Sequence, residues 1–322
     1  GEEAFSGCSG LISVTIPNSV ISIGEYAFRS CNDLTSVTIG ENVENIGSGA
    51  FYQCKSLASV TIPASVTSIG RYAFYYCSGL TSITIGEKVD TIGSYAFEDC
   101  RSLTSITWNA KNCADFKGNY ESPFYNSRSN ITSFTFGNEV EHIPASLCSR
   151  MIKLTEITIP ASVTSIGLNA FYNCSSLTKV HYLGTTDEWA KIDFESFDSN
   201  PTYYAKDLYI NNELLTDLKI TTDAIKQYAF YNCQSIKSVE IGNSVTSIGE
   251  YAFFGCNNLS LLEWNAKNCA DLVTPIVGAS SITFGNEVEY IPVNLCSGSR
   301  SLEEVYIGKS VSSIGEEAFY EC

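Results

Sequence analysis

The residues able to perform acid–base or metal chemistry are few and scattered along this chain. It has two histidines, His142 and His181, and neither has a serine or cysteine at the spacing of a nucleophile motif. The sequence contains no glycine-rich phosphate loop, no metal-binding histidine pair and no nucleophile elbow. We therefore predict no catalytic residues, no cofactor and no enzymatic activity.

One acidic segment is the best candidate for a cation site, because calcium binds several oxygen ligands at once. Its carboxylates are Asp187, Glu188, Asp193, Glu195 and Asp198. Their spacing matches neither an EF-hand loop nor a nonapeptide calcium repeat. We interpret the segment as a solvated acidic loop and predict no metal site.

The thirteen cysteines follow a pattern, since nine of them stand three residues after an Ala-Phe pair. These nine are Cys8, Cys31, Cys54, Cys77, Cys100, Cys174, Cys233, Cys256 and Cys322. Stacked on successive coils, their Cβ atoms would lie about 5 Å apart, wider than the roughly 3.8 Å of a disulfide. We predict buried free thiols that act as small apolar fillers, with stacked disulfides or a metal site as the alternatives.

A period of 23 residues supplies the scaffold that must position all of these side chains. The pair Ile-Gly begins at Ile23, Ile46, Ile69 and Ile92, with Ala-Phe four residues later and leucine three residues after each cysteine. One unit holds too few large apolar side chains to fold alone, so stacking must complete its core.

Each repeat also contains a segment of strict alternation, such as Leu34–Ile39. There Val37 and Ile39 point to one side and Ser36 and Thr38 to the other, which predicts a strand. The same pattern predicts strands over 13–16, 36–39, 59–62, 82–85 and 105–108. The segment Glu25–Cys31 is too short for an ordinary helix and predicts one helical or 3-10 turn. The predicted fold is a β-rich repeat solenoid, a right-handed coil with a long parallel sheet and short helical or 3-10 turns on its other side.

The repeated pattern Ile-Gly-x-x-Ala-Phe-x-x-Cys-x-x-Leu-x-x-Val-x-Ile resembles the BspA-type leucine-rich repeat of surface proteins from host-associated bacteria and some mucosal protozoa. The resemblance covers nearly the whole chain. The general leucine-rich pattern has asparagine or cysteine three residues after the last strand position. Here that place holds Ser19, Asn42 or Ser65, and the cysteine lies upstream of the leucine instead. The resemblance implies a leucine-rich-repeat-like solenoid, an extracellular location at the cell surface and a binding role.

We predict one continuous solenoid over residues 1–322, with regular repeats over 1–107 and an irregular rung and loop over 108–130. Repeats continue over 131–182 and 215–322, separated by an insert over 183–214. In the insert, Thr186 is the predicted N-cap of a short helix. A hairpin turns at Asn211–Asn212, and its second strand continues through Leu218. Because both ends of the chain fall inside a repeat, we expect it to be part of a longer array.

The cassette Trp108–Asp115 returns at Trp264–Asp271, so a block longer than one repeat has been duplicated. A paired binding site is one interpretation. Duplication of a structural variant is the interpretation we favour.

Net charge is −16 with a pI near 4.5, which disfavours nucleic acid and anionic lipid surfaces as partners. No apolar run approaches the roughly 20 residues that span a bilayer, so we predict no direct membrane insertion. We expect a monomer.

If valine and isoleucine face the core, the open sheet face carries two columns of hydroxyls that later give way to charged and aromatic residues. The candidate ligand-binding residues are Ser36, Thr38, Ser59, Thr61, Ser82, Thr84, Ser105, Thr107, Glu156, Thr158, Lys179, His181, Glu240, Glu263, Glu304 and Tyr306. Strand propensity alone also favours such hydroxyls. A tyrosine column is the second candidate, although packing between coils explains it equally well; its members are Tyr26, Tyr72, Tyr95, Tyr228 and Tyr251.

From these observations and the resemblance we predict a non-enzymatic, extracellular, adhesin-like module at the cell surface. Its partners would be host matrix or surface proteins, mucins or glycans. The alternative is a structural spacer or stalk that projects another domain from the cell surface. A third hypothesis is an accessory carbohydrate module that stacks sugars on Trp108 or Trp264.

Overall fold

The computed structural model describes residues 1–116, 118 and 122–322 and divides into two compact units. These are Gly1–Leu177 (unit 1) and Thr178–Cys322 (unit 2). In each unit the chain winds so that equivalent residues of successive repeats stand side by side, which confirms the predicted β-solenoid. A part of the irregular loop, residues 117 and 119–121, lies outside the described residues. The single continuous domain stays a prediction.

Coils of unit 1 give one strand to a column of longer strands and, except on the coil of β9, a two-residue strand to a second column. The longer strands are β1 (Ser13–Thr15), β3 (Ser36–Thr38), β5 (Ser59–Thr61), β7 (Ser82–Ile85), β9 (Ser105–Trp108), β10 (Ser133–Phe136) and β12 (Glu156–Ile159). The short strands are β2 (Ser22–Ile23), β4 (Asn45–Ile46), β6 (Ser68–Ile69), β8 (Thr91–Ile92), β11 (His142–Ile143) and β13 (Ser165–Ile166). A 3-10 helix covers Arg128–Asn130. Paired strands are parallel and in register, as Ser82 opposite Ser105 shows.

Unit 2 repeats this plan around the insert. Its longer strands are β14 (Lys179–Tyr182), β16 (Leu208–Ile210), β18 (Asp217–Ile220), β20 (Ser238–Ile241), β22 (Leu261–Trp264), β23 (Ser281–Phe284) and β25 (Glu304–Tyr306). The shorter strands are β15 (Asp193–Phe194), β17 (Glu213–Leu214), β19 (Ala224–Ile225), β21 (Ser247–Ile248), β24 (Tyr290–Ile291) and β26 (Ser313–Ile314). Two short helices, α1 (Thr186–Ala190) and α2 (Thr202–Ala205), lie in the insert. The main sheet of this unit has the order β18-β20-β22-β23-β25, all parallel.

A stack of phenylalanine rings forms the centre of unit 1. Phe74 is fully buried, and its ring stacks on Phe51 at 5.0 Å and on Phe97 at 5.2 Å between centroids. The rings of Phe28 and Phe51 are 5.2 Å apart in the same arrangement. The predicted alignment of these side chains is confirmed, because residues at one phase of the period occupy one column.

The segment Glu25–Cys31 forms two successive turns in place of the expected helical turn. Tyr26 and Ser30 adopt left-handed φ values of 51° and 58°, which interrupt a helical run. Alternate amides then point along the stack, so that Phe28 N donates to Ala50 O on the next coil at 2.7 Å. The coil-to-coil ladder thus satisfies backbone groups that an isolated helical turn would leave unpaired.

The cysteines form a ladder of free thiols, as predicted. Seven of the nine regular thiols donate to a backbone carbonyl 26 residues earlier, for example Cys54 Sγ to Phe28 O and Cys77 Sγ to Phe51 O, both at 3.1 Å. All thirteen cysteines are free, and all but Cys8 and Cys322 are buried. Burial raises the pKa of the Cys54 thiol to about 12, so the protonated donor form is favoured.

The irregular rung over 108–130 keeps the same core with different residues. Phe124 continues the phenylalanine stack at 5.2 Å from Phe97. Ser127 takes the place of the cysteine, and its Oγ donates to Phe97 O at 2.7 Å. On either side of this rung, β9 and β10 still pair in register.

Replacing Ser127 by alanine is expected to lower the free energy of unfolding by about 1–3 kcal/mol, because a buried carbonyl loses its donor. Ser127→Cys restores the donor used on the other coils and should recover most of that loss. Urea denaturation followed by circular dichroism measures both. Equal destabilisation by the two variants would contradict a role for the hydrogen bond.

The insert differs from the sequence-based expectation in two details. Thr185, one residue before the predicted Thr186, caps α1, because Glu188 then falls at the third helical position and closes a capping box. The hairpin turns at Asn211–Asn212 as predicted, with both residues left-handed. Its second strand, β17, ends at Leu214, so the predicted continuation through Leu218 is wrong, and β18 is a separate strand.

Candidate binding surfaces

The outward side chains of the longer strands in unit 1 form a hydroxyl face, defined by the serine and threonine columns from β1 to β10. Ser59, Ser82 and Ser105 stand in one column, and Thr61, Thr84 and Thr107 in the next. Their hydroxyls make no hydrogen bond within the described residues, whereas Thr81, just before β7, donates to Ala58 O at 3.1 Å. The sequence-predicted residues Ser36, Thr38, Glu156 and Thr158 are exposed at the same positions of their strands. This face offers hydrogen-bonding groups without charge over most of its length.

The outward side chains of the main sheet in unit 2 form a charged face. One column holds Asp217, Ser238, Leu261, Ser281 and Glu304, and the other holds Lys219, Glu240, Glu263, Thr283 and Tyr306. The two columns therefore hold four carboxylates and one lysine. The predicted residues Glu240, Glu263, Glu304 and Tyr306 are thus brought together by the register of five parallel strands.

Specific contacts organise the charged face. Lys219 Nζ lies 2.8 Å from Glu240 Oε1, and Ser238 Oγ donates to Asp217 Oδ1 at 2.5 Å. The hydrogen bonds from Ser238 and Thr216 hold the pKa of Asp217 below its ordinary value. Glu263 has no ion-pair partner among the described residues, so its negative charge is available to a ligand.

Two depressions open on the charged face. The smaller, of about 150 Å³, lies between Asp217 and Glu263, and the larger, of about 390 Å³, is bordered by Asn265 and Glu287. Lys219 and Glu240 line both.

The remaining predicted residues of unit 2, Lys179 and His181, lie on β14. The imidazole of His181 stacks on the ring of Tyr209 at 4.8 Å, and its Nδ1 is buried without a hydrogen-bond partner in the described part of the chain. Lys179 is exposed. These two residues are on a different strand group from the charged face.

The other histidine has a structural environment. His142 Nδ1 lies 2.8 Å from Ser165 Oγ, and Nε2 lies 3.0 Å from Asp115 Oδ1. The same Asp115 oxygen accepts the amide of Ala145 at 2.6 Å. All ring nitrogens of His142 are therefore engaged in joining neighbouring coils.

The acidic loop of the insert holds its carboxylates apart, and among the described residues no group of three or more potential ligands is placed to bind a metal ion. Asp187 Oδ1 instead accepts the amides of Thr221 and Thr222 at 2.8 and 3.1 Å. Burial alone would raise the pKa of Asp187, but these hydrogen bonds hold it below its ordinary value. Asp187 therefore fastens the helix to the chain after β18.

The duplicated cassette builds the same network twice. Lys111 and Asn112 contact Glu141 at 2.9 Å each, and Lys267 and Asn268 contact Glu289 at 3.0 and 3.3 Å. Asp115 and Asp271 each accept a backbone amide, that of Ala145 or Val293. Trp108 and Trp264 are fully buried, so the hypothesis that sugars stack on them is wrong. The cassette joins coils, which supports the structural interpretation.

Aromatic side chains cover one side of each unit, the side formed by the turns equivalent to Glu25–Cys31, which we call the turn side. In unit 1, Tyr52 stacks on Tyr75 at 5.0 Å and Tyr72 on Tyr95 at 5.6 Å. In unit 2, the rings of Tyr228 and Tyr251 are 5.7 Å apart and nearly parallel. The flank of unit 1 also carries arginines over its rings, which the tyrosine column alone did not predict. The signal was present in the sequence as arginines three residues after Tyr26 and one before Tyr72.

The family model for the BspA-type leucine-rich repeat region matches six copies in this chain, over residues 1–120, 120–214 and 205–322. The chain belongs to this family. Among curated proteins, none matches it. No helix in the described part of this BspA-type chain is long and apolar enough to cross a membrane.

Several solved structures resemble this BspA-type chain. A leucine-rich repeat protein from Bacteroides ovatus is 25% identical over 100% of this chain and 79% of its own, with a TM-score of 0.45. The T. pallidum leucine-rich repeat protein is 30% identical over 48% of this chain and 69% of its own, with a TM-score of 0.40. A leucine-rich cell surface protein from Faecalibacterium prausnitzii is 25% identical over 97% of this chain and 91% of its own, with a TM-score of 0.37.

The sequence pattern predicted the three glutamates of the charged face. It did not predict the lysine and the aspartate. Lys219 and Asp217 follow the insert, where the 23-residue frame is interrupted, so their phase was not assigned. The alternation Asp217-Leu218-Lys219-Ile220 was the available signal, because Leu218 and Ile220 are both buried.

Proposed function

We propose that this chain is an extracellular, adhesin-like module of a cell-surface protein that binds a protein partner through its open sheet face. Membership of the BspA-type family supports a surface location and a binding role. Leucine-rich repeats provide an extended, preformed surface, which lowers the ordering cost of binding. Host matrix and surface proteins are the proposed partners, with mucins and glycans as further candidates.

The charged face of unit 2 is the observation that carries this proposal. Five parallel strands hold Asp217, Glu240, Glu263 and Glu304 in fixed register beside a single lysine. A net negative, rigid surface complements a basic patch and accelerates encounter with it. The proposed partner therefore presents lysine or arginine side chains to this face.

The test is surface plasmon resonance with the intact chain flowed over a panel of immobilised matrix proteins and mucins. The variant Glu240→Gln/Glu263→Gln should reduce association with the bound partner by about tenfold at low salt. The control Glu41→Gln/Glu316→Gln removes the same charge from exposed positions outside the charged face. Equal effects of the two variants, or no binding to any member of the panel, would count against the proposal.

A spacer that projects another domain remains the second candidate, and the hydroxyl face of unit 1 favours it. That face is uniform and uncharged from β1 to β10, as expected of strands selected for stacking alone. For a spacer, the Glu240→Gln/Glu263→Gln variant would leave adhesion by the parent protein unchanged. Deleting one whole 23-residue repeat from unit 1 would then alter adhesion only by shortening the distance at which the other domain is held from the cell surface.

A further inference from the structure

A groove of about 350 Å³ lies on the turn side of unit 1, away from the sheet face. It is lined by Tyr26, Arg29, Tyr52, Tyr72 and Tyr75, and we call it the arginine–tyrosine groove. Its volume is within the roughly 300–1,000 Å³ of small-ligand sites. The groove shares no residue with the charged face used in the proposed function.

One position of the tyrosine column, on the coil between Tyr26 and Tyr72, has no side chain. Tyr26, Gly49 and Tyr72 stand at the same phase on three successive coils, with left-handed φ values of 51°, 60° and 59°. A Cβ at Gly49 would collide with the ring of Tyr26, which leans over this gap. The ring of Tyr26 therefore occupies the space above Gly49.

The walls of the groove are held in place by ring contacts. Tyr52 stacks on Tyr75 at 5.0 Å, and Tyr72 meets Tyr75 edge to face at 5.4 Å. All three side chains are half-buried, so part of each ring faces solvent. Flat apolar faces rimmed by hydroxyls suit a pyranose ring, which has an apolar C–H face and a hydroxyl edge.

One arginine, Arg29, lines the groove, and a second, Arg71, lies over the ring of Tyr72, which forms one of its walls. The guanidinium of Arg29 is 5.6 Å from the Tyr26 ring centroid, and that of Arg71 is 4.5 Å from Tyr72. Arg71 Nη2 also donates to the Tyr72 hydroxyl at 2.8 Å. Within the described residues neither arginine has an ion-pair partner, whereas Arg101 pairs with Asp99 at 3.3 Å.

Unpaired arginines are notable in a chain with 35 acidic and 19 basic residues. Two carboxylates near Tyr75 have partners, since Asn126 donates to Glu98 Oε1 at 2.7 Å and Asp99 binds Arg101. A planar guanidinium fixed against a ring presents a fork that matches carboxylate or sulfate geometry. The groove therefore combines an apolar ring platform with an anion site.

We propose that the arginine–tyrosine groove binds a terminal acidic sugar. Its ring lies against the tyrosines, and its carboxylate or sulfate accepts hydrogen bonds from Arg29 and Arg71. A short ligand fits better than a long polyanion, because the net charge of −16 repels a polymer along its length. Screening beyond about 8 Å leaves the local positive charge to act on a single acidic residue.

The test is isothermal titration calorimetry of the intact chain with three sugars: sialyllactose, sulfated lactose and lactose. At least one acidic trisaccharide or disaccharide should bind at least about tenfold more tightly than lactose, since a charge-assisted pair is lost in the neutral sugar. The relative affinity for sialyllactose and sulfated lactose identifies the carboxylate or the sulfate as the preferred anion. No binding of either acidic sugar would overturn the proposal.

Matched variants separate the groove from general electrostatics. Arg29→Ala/Arg71→Ala should reduce affinity at least about tenfold, while Lys55→Ala/Arg300→Ala removes two exposed charges elsewhere and should leave it unchanged. Tyr52→Phe should retain binding and Tyr52→Leu should weaken it if the ring face is used. An equal loss of sugar affinity in both double variants would overturn the proposal. So would binding of a tyrosine-sulfated peptide by a chain that binds no acidic sugar. Circular dichroism confirms that each variant is folded.

Discussion

Replacing Phe74 by alanine is expected to lower the free energy of unfolding by about 3–5 kcal/mol. The Phe74 side chain is fully buried, and its ring stacks on Phe51 at 5.0 Å and on Phe97 at 5.2 Å. The substitution leaves a cavity between two coils, and coils are stabilised mainly by their immediate neighbours. Urea denaturation followed by far-ultraviolet circular dichroism measures the loss.

Phe5 provides the control for this prediction, because it occupies the same column in a less enclosed position. Its ring stacks on Phe28 alone among the described residues, at 5.1 Å, and the residue is 46% exposed. Phe5→Ala should lower the free energy of unfolding by about 1 kcal/mol, in the range of substitutions at partly exposed positions. Losses of the same size at Phe5 and Phe74 would contradict a stabilising apolar stack.

Alkaline pH is expected to unfold the protein through its buried thiols. Burial raises the pKa of Cys54, Cys113, Cys174 and Cys269 from an ordinary 9.0 to about 12. Between about pH 9 and pH 12 the unfolded chain has released these protons while the native state retains them. Unfolding then becomes more favourable as pH rises, by up to about 1.4 kcal/mol per pH unit for each thiol. Below pH 9 this stabilisation is fully present.

Urea midpoints measured in steps from pH 8 to pH 11 test this expectation. The variant Cys54→Ala/Cys77→Ala lowers overall stability at every pH, but its stability should fall less steeply above pH 9, because two thiols no longer titrate. Cys8→Ala, which removes an exposed thiol outside the buried ladder, is the control. If the stability of the double variant fell with pH as steeply as that of the unmodified chain, the thiol mechanism would be contradicted.

The inward side of the structure was predictable from the sequence. Phe74 and Cys77 occupy the expected columns because each repeats at one phase, and identical phase means identical surroundings in a stack. The strand limits also agree closely, as β7 at Ser82–Ile85 shows. The turns around Tyr26 were not predicted, because a left-handed φ at tyrosine is uncommon and is held there by hydrogen bonds from the next coil.

The candidate surfaces were predictable only in part. Alternation placed Glu240 and Glu263 on the open face, but the ion pair between Lys219 and Glu240 required the register of β18 against β20. The insert before β18 removes the fixed period from which that register could be inferred. A one-residue error in phase would have sent Lys219 to the core.

The sequence by itself determined the repeat, the family and the apolar columns, because these depend on residue type at a constant spacing along one chain. Only the tertiary structure decided where Arg29 and Arg71 lie and that Tyr26, Tyr52 and Tyr72 border one groove. Those features depend on the few residues that differ from their equivalents on neighbouring coils. Their effect appears once the coils are placed side by side, since side chains form the walls of one groove only when their coils are neighbours.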